Sequence, residues 1–287
     1  MNNSQPTYKR QRFLLSFIRQ LGSSVSSTDL QELVFLHTME NSTDYYEFIP
    51  YKFGAYSFQL AEDVDILRKG GFLCDEGKRI KATGEYLLNG LFDVAVERGN
   101  NLIRRAYREY PYYTIKSEII DSLFYDRAEA ELFYGERLKY VQSEQTLFTI
   151  GYEGKSIEAF INVLIQNGVK LLCDVRKNPL SRKFGFSKGK LEHITEIAGI
   201  KYVHIPDLGI EANKRSSLET GEDYQALFDD YSKALPNLAL YLEWVYSLLC
   251  SNTRIALMCY EKDASMCHRH IIKNYITSKQ DVRSEDL

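Results

Sequence analysis

The spacing of apolar residues predicts a run of helices in the first part of the chain. In "YKRQRFLLSFIRQLG", apolar residues recur at intervals of three and four, which is typical of an amphipathic helix, and Gly22 is its expected end. The stretch "SSTDLQELVFLHTME" predicts a second helix, and "SFQLAEDVDILRKGG" predicts a third with Ser57 as its N-cap. The next stretch, "GGFLCDEGKRIKAT", predicts two short strands around a turn at residues 75–77.

Three helices followed by a hairpin are the order of a winged-helix domain, which we predict for residues 1–87. The hairpin is then the wing, and it carries Lys78, Arg79 and Lys81. Such a module binds nucleic acid through its wing and third helix, or it binds a partner protein. Phosphates repel acidic side chains, so the protein partner is favoured by three acids on the predicted third helix, Glu62, Asp63 and Asp65.

Residues 88–145 are polar and have helical spacing, and we predict a helical connector there. Pro111 interrupts the pattern inside a cluster of tyrosines, and arginines lie nearby. Alternating aromatic and arginine side chains could stack nucleic-acid bases. Tyrosines at helical spacing more commonly pack between domains, and we favour packing for this segment.

The pattern changes near residue 146, where short apolar runs begin to alternate with helical stretches. The runs "TLFTIGY", "VKLLCDV", "IKYVHIPDLG" and "RIALMCYE" predict four strands, and the segments between and after them predict helices. Strands that alternate with helices form a parallel sheet with helices on its faces. We therefore predict an α/β domain with a short, mainly parallel sheet over residues 146–287, following the mainly helical N-terminal module.

The overall composition is that of an ordinary globular protein, with 44% apolar and 26% charged residues. The net charge of -3 at pH 7 excludes a strongly basic nucleic-acid-binding chain, so any anion site must be local. No apolar run approaches the roughly 20 residues that span a bilayer, and we expect no membrane partner. The polar start "MNNSQPTYKRQRF" and the odd number of cysteines favour a reducing cytoplasm.

Charged or reactive residues follow the predicted strands. Asp174 and Arg176 follow the second strand, Asp207 follows the third, and Glu261 follows the fourth. Ligands of parallel sheets bind at the carboxyl ends of the strands. We therefore predict that one cleft at this edge collects seven side chains: Asp174, Arg176, Asp207, Glu261, Cys267, His268 and Arg269.

The loop after the second predicted strand is clearly basic. Its sequence, "KNPLSRKFGFSKGK", holds five cations, two phenylalanines and no acid. Cations mixed with aromatic residues suit a phosphate, a nucleotide or a nucleic-acid backbone, and Arg182 and Lys183 are expected contacts. A solvated surface loop is the alternative.

The segment "CYEKDASMCHRH", residues 259–270, allows four interpretations, and two of them involve metal or packing. The first interpretation is a zinc site with Cys259, Cys267, His268 and His270 as its donors. These residues lack the usual paired Cys-x-x-Cys spacing, so we predict no metal and no cofactor. Otherwise the cysteines are small core residues, and Arg269 forms a structural ion pair with Asp174 or Glu261.

The third interpretation is a thiol-dependent enzyme. Cys267 would be the nucleophile, His268 or His204 the base, and Glu261 the group that orients the base. We expect Cys267, His268 and Arg269 in the first turn of the last helix, where the helix dipole lowers the pKa of a thiol.

The fourth and favoured interpretation is an anion-binding corner. The N-terminus of the last helix attracts anions. Arg176 and Arg269 would clamp a phosphate there, and Asp174 and Glu261 would orient the arginines or a sugar hydroxyl.

Four blocks of the second half resemble a known family. They are "TIGYEGKSIEAFINVL", "DVRKNPLS", "YVHIPDLG" and "CYEKDASMCHR". Over residues 146–280 the sequence is similar to the prokaryotic family called domain of unknown function 488. The resemblance implies a setting in nucleic-acid transactions or defence, with which members of the family are associated.

Together these observations favour an uncharacterised prokaryotic protein that binds a nucleotide or nucleic-acid phosphate at the carboxyl edge of the α/β sheet. The expected ligand-binding residues are Asp174, Arg176, Arg182, Lys183, Asp207 and Arg269. Two alternatives stay open. One is a thiol-dependent enzyme that uses Cys267, and the other is a non-catalytic module that binds a protein through its N-terminal part.

Overall fold

The computed structural model describes residues 5–84, 92, 94–211, 214 and 220–287. The chain divides into two units, Met1–Lys139 and Tyr140–Leu287. The three-part division at residues 87/88 and 145/146 stays a prediction. Residues 88–91 and 93 of the predicted connector lie outside the described ranges.

The N-terminal unit is mainly helical and contains two small antiparallel sheets. Its described helices are α1 (Lys9–Gln20), α2 (Ser27–Asn41), α3 (Phe58–Lys69), α4 (Gly99–Glu109), α5 (Ile120–Leu123) and α6 (Arg127–Leu138), and a 3₁₀ turn spans Pro111–Thr114. Its described strands are β1 (Val25–Ser26), β2 (Ile49–Tyr51), β3 (Gly54–Tyr56), β4 (Leu73–Glu76) and β5 (Arg79–Ala82). The strands pair as β1–β5–β4 and as β2–β3.

Local signals explain the first three helices and the β4–β5 hairpin. The Ser57 hydroxyl accepts a hydrogen bond from the Leu60 amide at 3.2 Å and so caps α3. Gly77 has a φ of +65° in the hairpin turn, a conformation that glycine adopts without strain. The β2–β3 hairpin was not predicted, because strands of three residues are too short to establish an alternating pattern. The name winged helix stays a prediction.

One of the three acids on α3 faces the core of the N-terminal unit. Asp63 is fully buried. Its carboxylate accepts hydrogen bonds from the side chains of Arg10 at 2.6 Å, Gln11 at 2.8 Å and Tyr46 at 3.1 Å. The contact with Arg10 is an ion pair that joins α1 to α3. Asp63 therefore stabilises the unit and does not contribute to the acidic surface that the sequence predicted for this helix.

The tyrosines in and after α4 pack within the N-terminal unit. Tyr107 is buried and donates a hydrogen bond to the Ser117 hydroxyl at 2.7 Å. Tyr113 packs edge-on against Phe35, with the ring centroids 4.5 Å apart. The neighbouring Arg105 forms ion pairs with glutamates. These contacts agree with the packing interpretation, because they engage the groups that would otherwise stack bases.

The C-terminal unit alternates strands with helices. Its described strands are β6 (Thr146–Gly151), β7 (Leu171–Asp174), β8 (Lys201–His204), β9 (Arg254–Cys259) and β10 (Arg283–Asp286). Its described helices are α7 (Ile157–Gln166), α8 (Lys188–Ile197), α9 (Gly221–Ala234), α10 (Ala239–Asn252) and α11 (Arg269–Lys279). Within the described ranges, no helix is both long enough and apolar enough to cross a membrane.

Among the described residues, five strands form one parallel sheet in the order β10–β6–β9–β7–β8. Leu147, Cys173 and Leu257 face a core that also contains residues of α9, α10 and α11. The intervening residues, such as Phe148 and Leu172, are fully buried as well. Both faces of the sheet are covered, which explains why its strands appear in the sequence as continuous apolar runs.

The edge strand β10 was not predicted. Its sequence, "RSED", contains no apolar residue, and the strand pairs with β6 alone among the described strands. A strand at the edge of a sheet tolerates charged residues. Its presence was therefore not detectable from hydrophobic periodicity.

Glu32 on α2 is a carboxyl group inside the N-terminal unit, with only 1% of its surface exposed. Its Oε1 accepts a hydrogen bond from the Ala55 amide at 3.0 Å, which joins α2 to β3. Burial raises the pKa of Glu32 to about 8, because a charged carboxylate would lose its hydration, and the hydrogen bond from Ala55 opposes this rise only in part.

We predict that Glu32 makes the stability of the chain depend on pH. The pKa is raised from 4.5 by folding, so the contribution of this group is fully present below about pH 4.5 and is lost as the pH rises through about 8. The loss should approach about 1.4 kcal/mol per pH unit within that interval. Glu32→Gln keeps an acceptor for Ala55 and should flatten the dependence. Urea unfolding of both chains at about pH 5 and about pH 8 checks this, and an unchanged slope in the variant would contradict it.

Candidate functional site

Strand β7 ends at a buried ion pair. Asp174 is its last residue and is fully buried, and Arg176 is 6% exposed. Two parallel hydrogen bonds join them, from Nε to Oδ1 at 2.8 Å and from Nη2 to Oδ2 at 2.6 Å. Burial alone lowers the pKa of Arg176, but the hydrogen bonds and the charge of Asp174 raise the pKa above its ordinary value. The pair therefore stays charged although it is buried.

Neighbouring groups engage the remaining atoms of this pair. Nη1 of Arg176 donates hydrogen bonds to the Tyr152 hydroxyl at 3.1 Å and to the Phe186 carbonyl at 2.9 Å. The Tyr202 hydroxyl donates to Oδ2 of Asp174 at 2.7 Å. The rings of Tyr152 and Phe186 stack with their centroids 4.3 Å apart. Because protein groups occupy the guanidinium, Arg176 organises the edge of the sheet and does not present the predicted two-pronged contact to a phosphate.

Arg269 belongs to a different network. It is 1% exposed, and its Nη1 and Nη2 donate to the carbonyls of Glu261 at 2.7 Å and Lys262 at 3.1 Å. Its Nε donates to the Thr149 hydroxyl at 3.2 Å, which fixes the turn after β9 against β6. The donors of Arg269 are thus engaged by two backbone carbonyls and a hydroxyl, and its predicted roles as a phosphate clamp and as an ion-pair partner stay predictions.

Two cysteines and a histidine form a buried cluster at the end of β9. The sulfurs of Cys267 and Cys259 lie 3.8 Å and 3.9 Å from Nδ1 of His268. Nε2 of His268 lies 3.1 Å from the Val175 carbonyl, and this contact orients the ring. The predicted nucleophile and base are thus adjacent, and a backbone carbonyl orients the base, whereas the orienting role of Glu261 stays a prediction.

The prediction of a low pKa for Cys267 is wrong in direction. Helix α11 begins at Arg269 with His268 as its N-cap, so Cys267 precedes the helix and follows a 3₁₀ turn at Ala264–Met266. Burial raises the pKa of Cys267 well above its ordinary value, and nearby groups add to the rise. A buried thiol of high pKa is a weak nucleophile.

A cluster of cations lies at the end of β6, and the sequence analysis missed two of its members, Lys155 and Lys262. Nζ of Lys155 donates to the Gly151 carbonyl at 3.2 Å, and Nζ of Lys183 donates to the Tyr152 carbonyl at 3.2 Å. Burial lowers the pKa of Lys155, and three neighbouring cations lower it further: Lys262, Arg269 and Lys183. The signal in the sequence was "GYEGKS", a lysine between a strand and the start of a helix.

The basic loop is held in place by its aromatic residues. Phe186 is fully buried, and the Lys183 ammonium lies 5.7 Å from the centroid of its ring. The Lys190 ammonium lies 5.2 Å from the ring of Phe184. Arg182 is exposed. The loop therefore brings Lys183 to the cation cluster and leaves Arg182 at the surface.

The residues after β8 lie at a separate cleft. Asp207 is exposed and lines a cleft of about 570 Å³ together with Lys177. Gly209 approaches the same segment so closely that a Cβ atom there would lie 2.1 Å from the Lys177 nitrogen. His204, the other predicted base, has its Nε2 2.9 Å from the Arg176 carbonyl. Neither Asp207 nor His204 makes a described contact with Cys267.

We predict that the Asp174–Arg176 pair is required for stability. Asp174→Asn leaves the charge of Arg176 buried without a counter-charge, which should cost about 3–5 kcal/mol of unfolding free energy. Asp207→Asn is the matched control, because Asp207 also follows a strand but is exposed, and it should change stability by less than about 0.5 kcal/mol. Urea unfolding of the two variants measures the difference. Equal stabilities would contradict the organising role of the pair.

Comparison with known proteins found one similarity, which lies in the C-terminal unit. The family model described as "Domain of unknown function DUF488" matches residues 156–276. No curated protein and no solved structure matches the chain. The matched span contains the Asp174–Arg176 pair, the basic loop and the cysteine–histidine cluster, whereas the predicted winged-helix module lies outside it. The chain is thus similar to the family of domain of unknown function DUF488 over residues 156–276, within its C-terminal unit.

Proposed function

We propose that the carboxyl edge of the C-terminal sheet binds a phosphate-bearing ligand, either a nucleotide or a stretch of nucleic-acid backbone. The observation that carries the proposal is the crowding of cations at the end of β6. The pKa of Lys155 is lowered there, first by burial and then by Lys262, Arg269 and Lys183. Positive charges that lie close together in a partly buried position repel one another, and a bound anion stabilises them.

The roles of the neighbouring charges support an anion as the ligand. Arg269 contributes a fixed positive charge, but its donors already bind backbone carbonyls. Glu153 is an acid near the cluster, and its carboxylate accepts a hydrogen bond from the Lys262 amide at 2.9 Å. Direct contacts with phosphate oxygens are therefore assigned to the ammonium groups of Lys155, Lys183 and Lys262.

Helix α7 adds to the positive potential. It begins two residues after Lys155, and the Ser156 hydroxyl caps it by accepting a hydrogen bond from the Ala159 amide at 2.9 Å. The N-terminus of a helix carries a partial positive charge and free amide groups. A lysine next to a helix N-terminus is a common arrangement for binding phosphate.

An exposed aromatic ring supports a ligand that carries a base. Tyr260 follows β9 directly, is 46% exposed, and contacts Tyr152 edge-on with the centroids 5.2 Å apart. Bases of nucleotides and single strands stack on such rings with little regard for sequence. This ring favours a nucleotide or a single strand over inorganic phosphate.

A thiol-dependent enzyme is the second candidate. It is favoured by the distance of 3.8 Å between the Cys267 sulfur and Nδ1 of His268. The raised pKa of the buried thiol argues against it. A protein partner for the N-terminal unit stays a prediction, supported by the acids of α3 other than Asp63.

We predict that ligand binding depends on the cations of this edge. The triple variant Lys155→Gln, Lys183→Gln, Lys262→Gln should weaken the binding of a labelled single-stranded oligonucleotide. The slope of its salt dependence should fall by about 0.7 for each phosphate that is no longer neutralised by a cation. Lys155→Gln should weaken the binding of both the oligonucleotide and ATP. Fluorescence anisotropy at several salt concentrations measures the first ligand, and thermal shift measures the second.

The control variant removes the same number of positive charges as the triple variant, but from the opposite end of the C-terminal unit. Lys170 and Lys201 stand at the amino ends of β7 and β8, and Lys279 ends α11. Replacing these three lysines with glutamine should leave binding nearly unchanged. Equal losses of affinity in the two triple variants would indicate non-specific attraction and contradict the proposed site. A chain that binds ATP but not the oligonucleotide has a nucleotide as its ligand, and a chain that binds only the oligonucleotide has nucleic acid as its ligand. A chain that binds neither contradicts the proposal.

A further inference from the structure

Three donor atoms of the kind that bind metal meet in the C-terminal unit. The sulfurs of Cys259 and Cys267 and a ring nitrogen of His268 lie within 4.8 Å of one another, and all three residues are buried. The two sulfur–nitrogen distances are 3.9 Å and 3.8 Å. A tetrahedral zinc ion with its usual bond lengths separates a bound sulfur from a bound nitrogen by about 3.6 Å. An ion would therefore shorten each sulfur–nitrogen distance by only about 0.2–0.3 Å.

The orientation of His268 suits a metal ligand. Its Nε2 lies 3.1 Å from the Val175 carbonyl, and a carbonyl can only accept a hydrogen bond, so Nε2 carries the hydrogen. In the neutral ring, Nδ1 then presents its lone pair to the two sulfurs. A backbone carbonyl is one of the usual partners of the far nitrogen in a histidine that binds a metal, beside a carboxylate or water.

The path of the chain explains why sequence spacing disfavoured this site. Cys259 ends β9, and the 3₁₀ turn at Ala264–Met266 brings the chain back to the same strand end. The Asp263 carboxylate begins that turn by accepting a hydrogen bond from the Ser265 amide at 2.8 Å. Cys267 thus returns to Cys259 across seven intervening residues, without the short knuckle of a Cys-x-x-Cys motif.

From these contacts we propose that Cys259, Cys267 and His268 bind one Zn²⁺ ion as two thiolates and one neutral imidazole. Two thiol protons pass to solvent as two zinc–sulfur bonds form. The resulting complex carries no net charge, which suits a buried position. A Cu⁺ ion with the same ligands would leave one negative charge in the core, and sulfur donors disfavour Mg²⁺ and Ca²⁺.

The described residues supply no fourth side-chain donor to this group. His270, which the sequence offered as a donor, has its Nδ1 2.6 Å from the Cys267 carbonyl and is engaged there. Zinc held by three protein donors keeps a fourth position for water or a substrate atom, as catalytic zinc sites do. The zinc site does not require the phosphate-binding proposal to be correct.

Cobalt binding to the full chain tests the proposal. After treatment with a chelator, the chain should bind one equivalent of Co²⁺, used here as a spectroscopic probe for zinc. Thiolate-to-cobalt charge-transfer bands should appear in the near ultraviolet, and Zn²⁺ should displace the cobalt. Absence of these bands, or a stoichiometry far below one, would overturn the proposal, and this result needs only the unaltered chain.

Variants identify the donors. Cys259→Ser and Cys267→Ser should each weaken cobalt binding by more than the roughly 10–100-fold that loss of an outer-shell partner costs. Cys173→Ser is the matched control, because Cys173 is equally buried in β7 but lies outside the donor group. It should bind cobalt like the unaltered chain, and circular dichroism checks that each variant is folded. Bands that survive in Cys259→Ser and Cys267→Ser, or that disappear equally in Cys173→Ser, would refute the assignment.

Discussion

The ion pair between Asp174 and Arg176 is the contact on which the carboxyl edge of the C-terminal sheet depends. Both side chains are buried, so neither charge can be removed without leaving the other unpaired in a medium of low dielectric constant. Backbone carbonyls of the same segment orient two histidine rings. The carbonyl of Arg176 contacts His204, and the carbonyl of Val175 contacts His268. One pair of charges thus fixes the segment that positions the thiol cluster and the end of the basic loop.

The carboxyl edge of the sheet has a buried part, called here the dry part, and a solvent-exposed part, called the wet part, and the two differ in chemistry. The dry part contains the ion pair and the cysteine–histidine cluster, whose members are all buried. The wet part contains partly exposed or exposed groups, among them Lys155, Lys183, Lys262 and Tyr260. Buried charges that already have protein partners preorganise a site, whereas cations that repel one another gain from a ligand. This division explains why the arginines with the strongest sequence signal are the less suitable contacts for a phosphate.

Sequence periodicity predicted most of the C-terminal fold, because buried parallel strands leave continuous apolar runs and α7 between the first two has a clear cap at Ser156. It missed β10, whose four residues are polar and lie at the sheet edge. The sequence placed the Asp174–Arg176 pair and the cysteines at the carboxyl ends of the strands, where the structure has them, but it did not reveal the roles that their contacts give them. Those roles depend on partners distant in sequence, such as Tyr152 for Arg176 and Val175 for His268. The prediction of a low pKa for Cys267 was wrong, because α11 begins two residues after Cys267 and because the thiol is buried.

Hydrogen–deuterium exchange of the full chain, with and without a bound single-stranded oligonucleotide, tests most directly whether the ligand lies at the carboxyl edge. Exchange should slow in residues 151–156, 181–190 and 260–263, which carry the cations and the exposed ring. It should stay unchanged at the amino ends of β7 and β8, which lie at the opposite edge of the same sheet. Protection confined to the β4–β5 hairpin or to those amino ends, with none in the three segments, would contradict a phosphate site at the carboxyl edge.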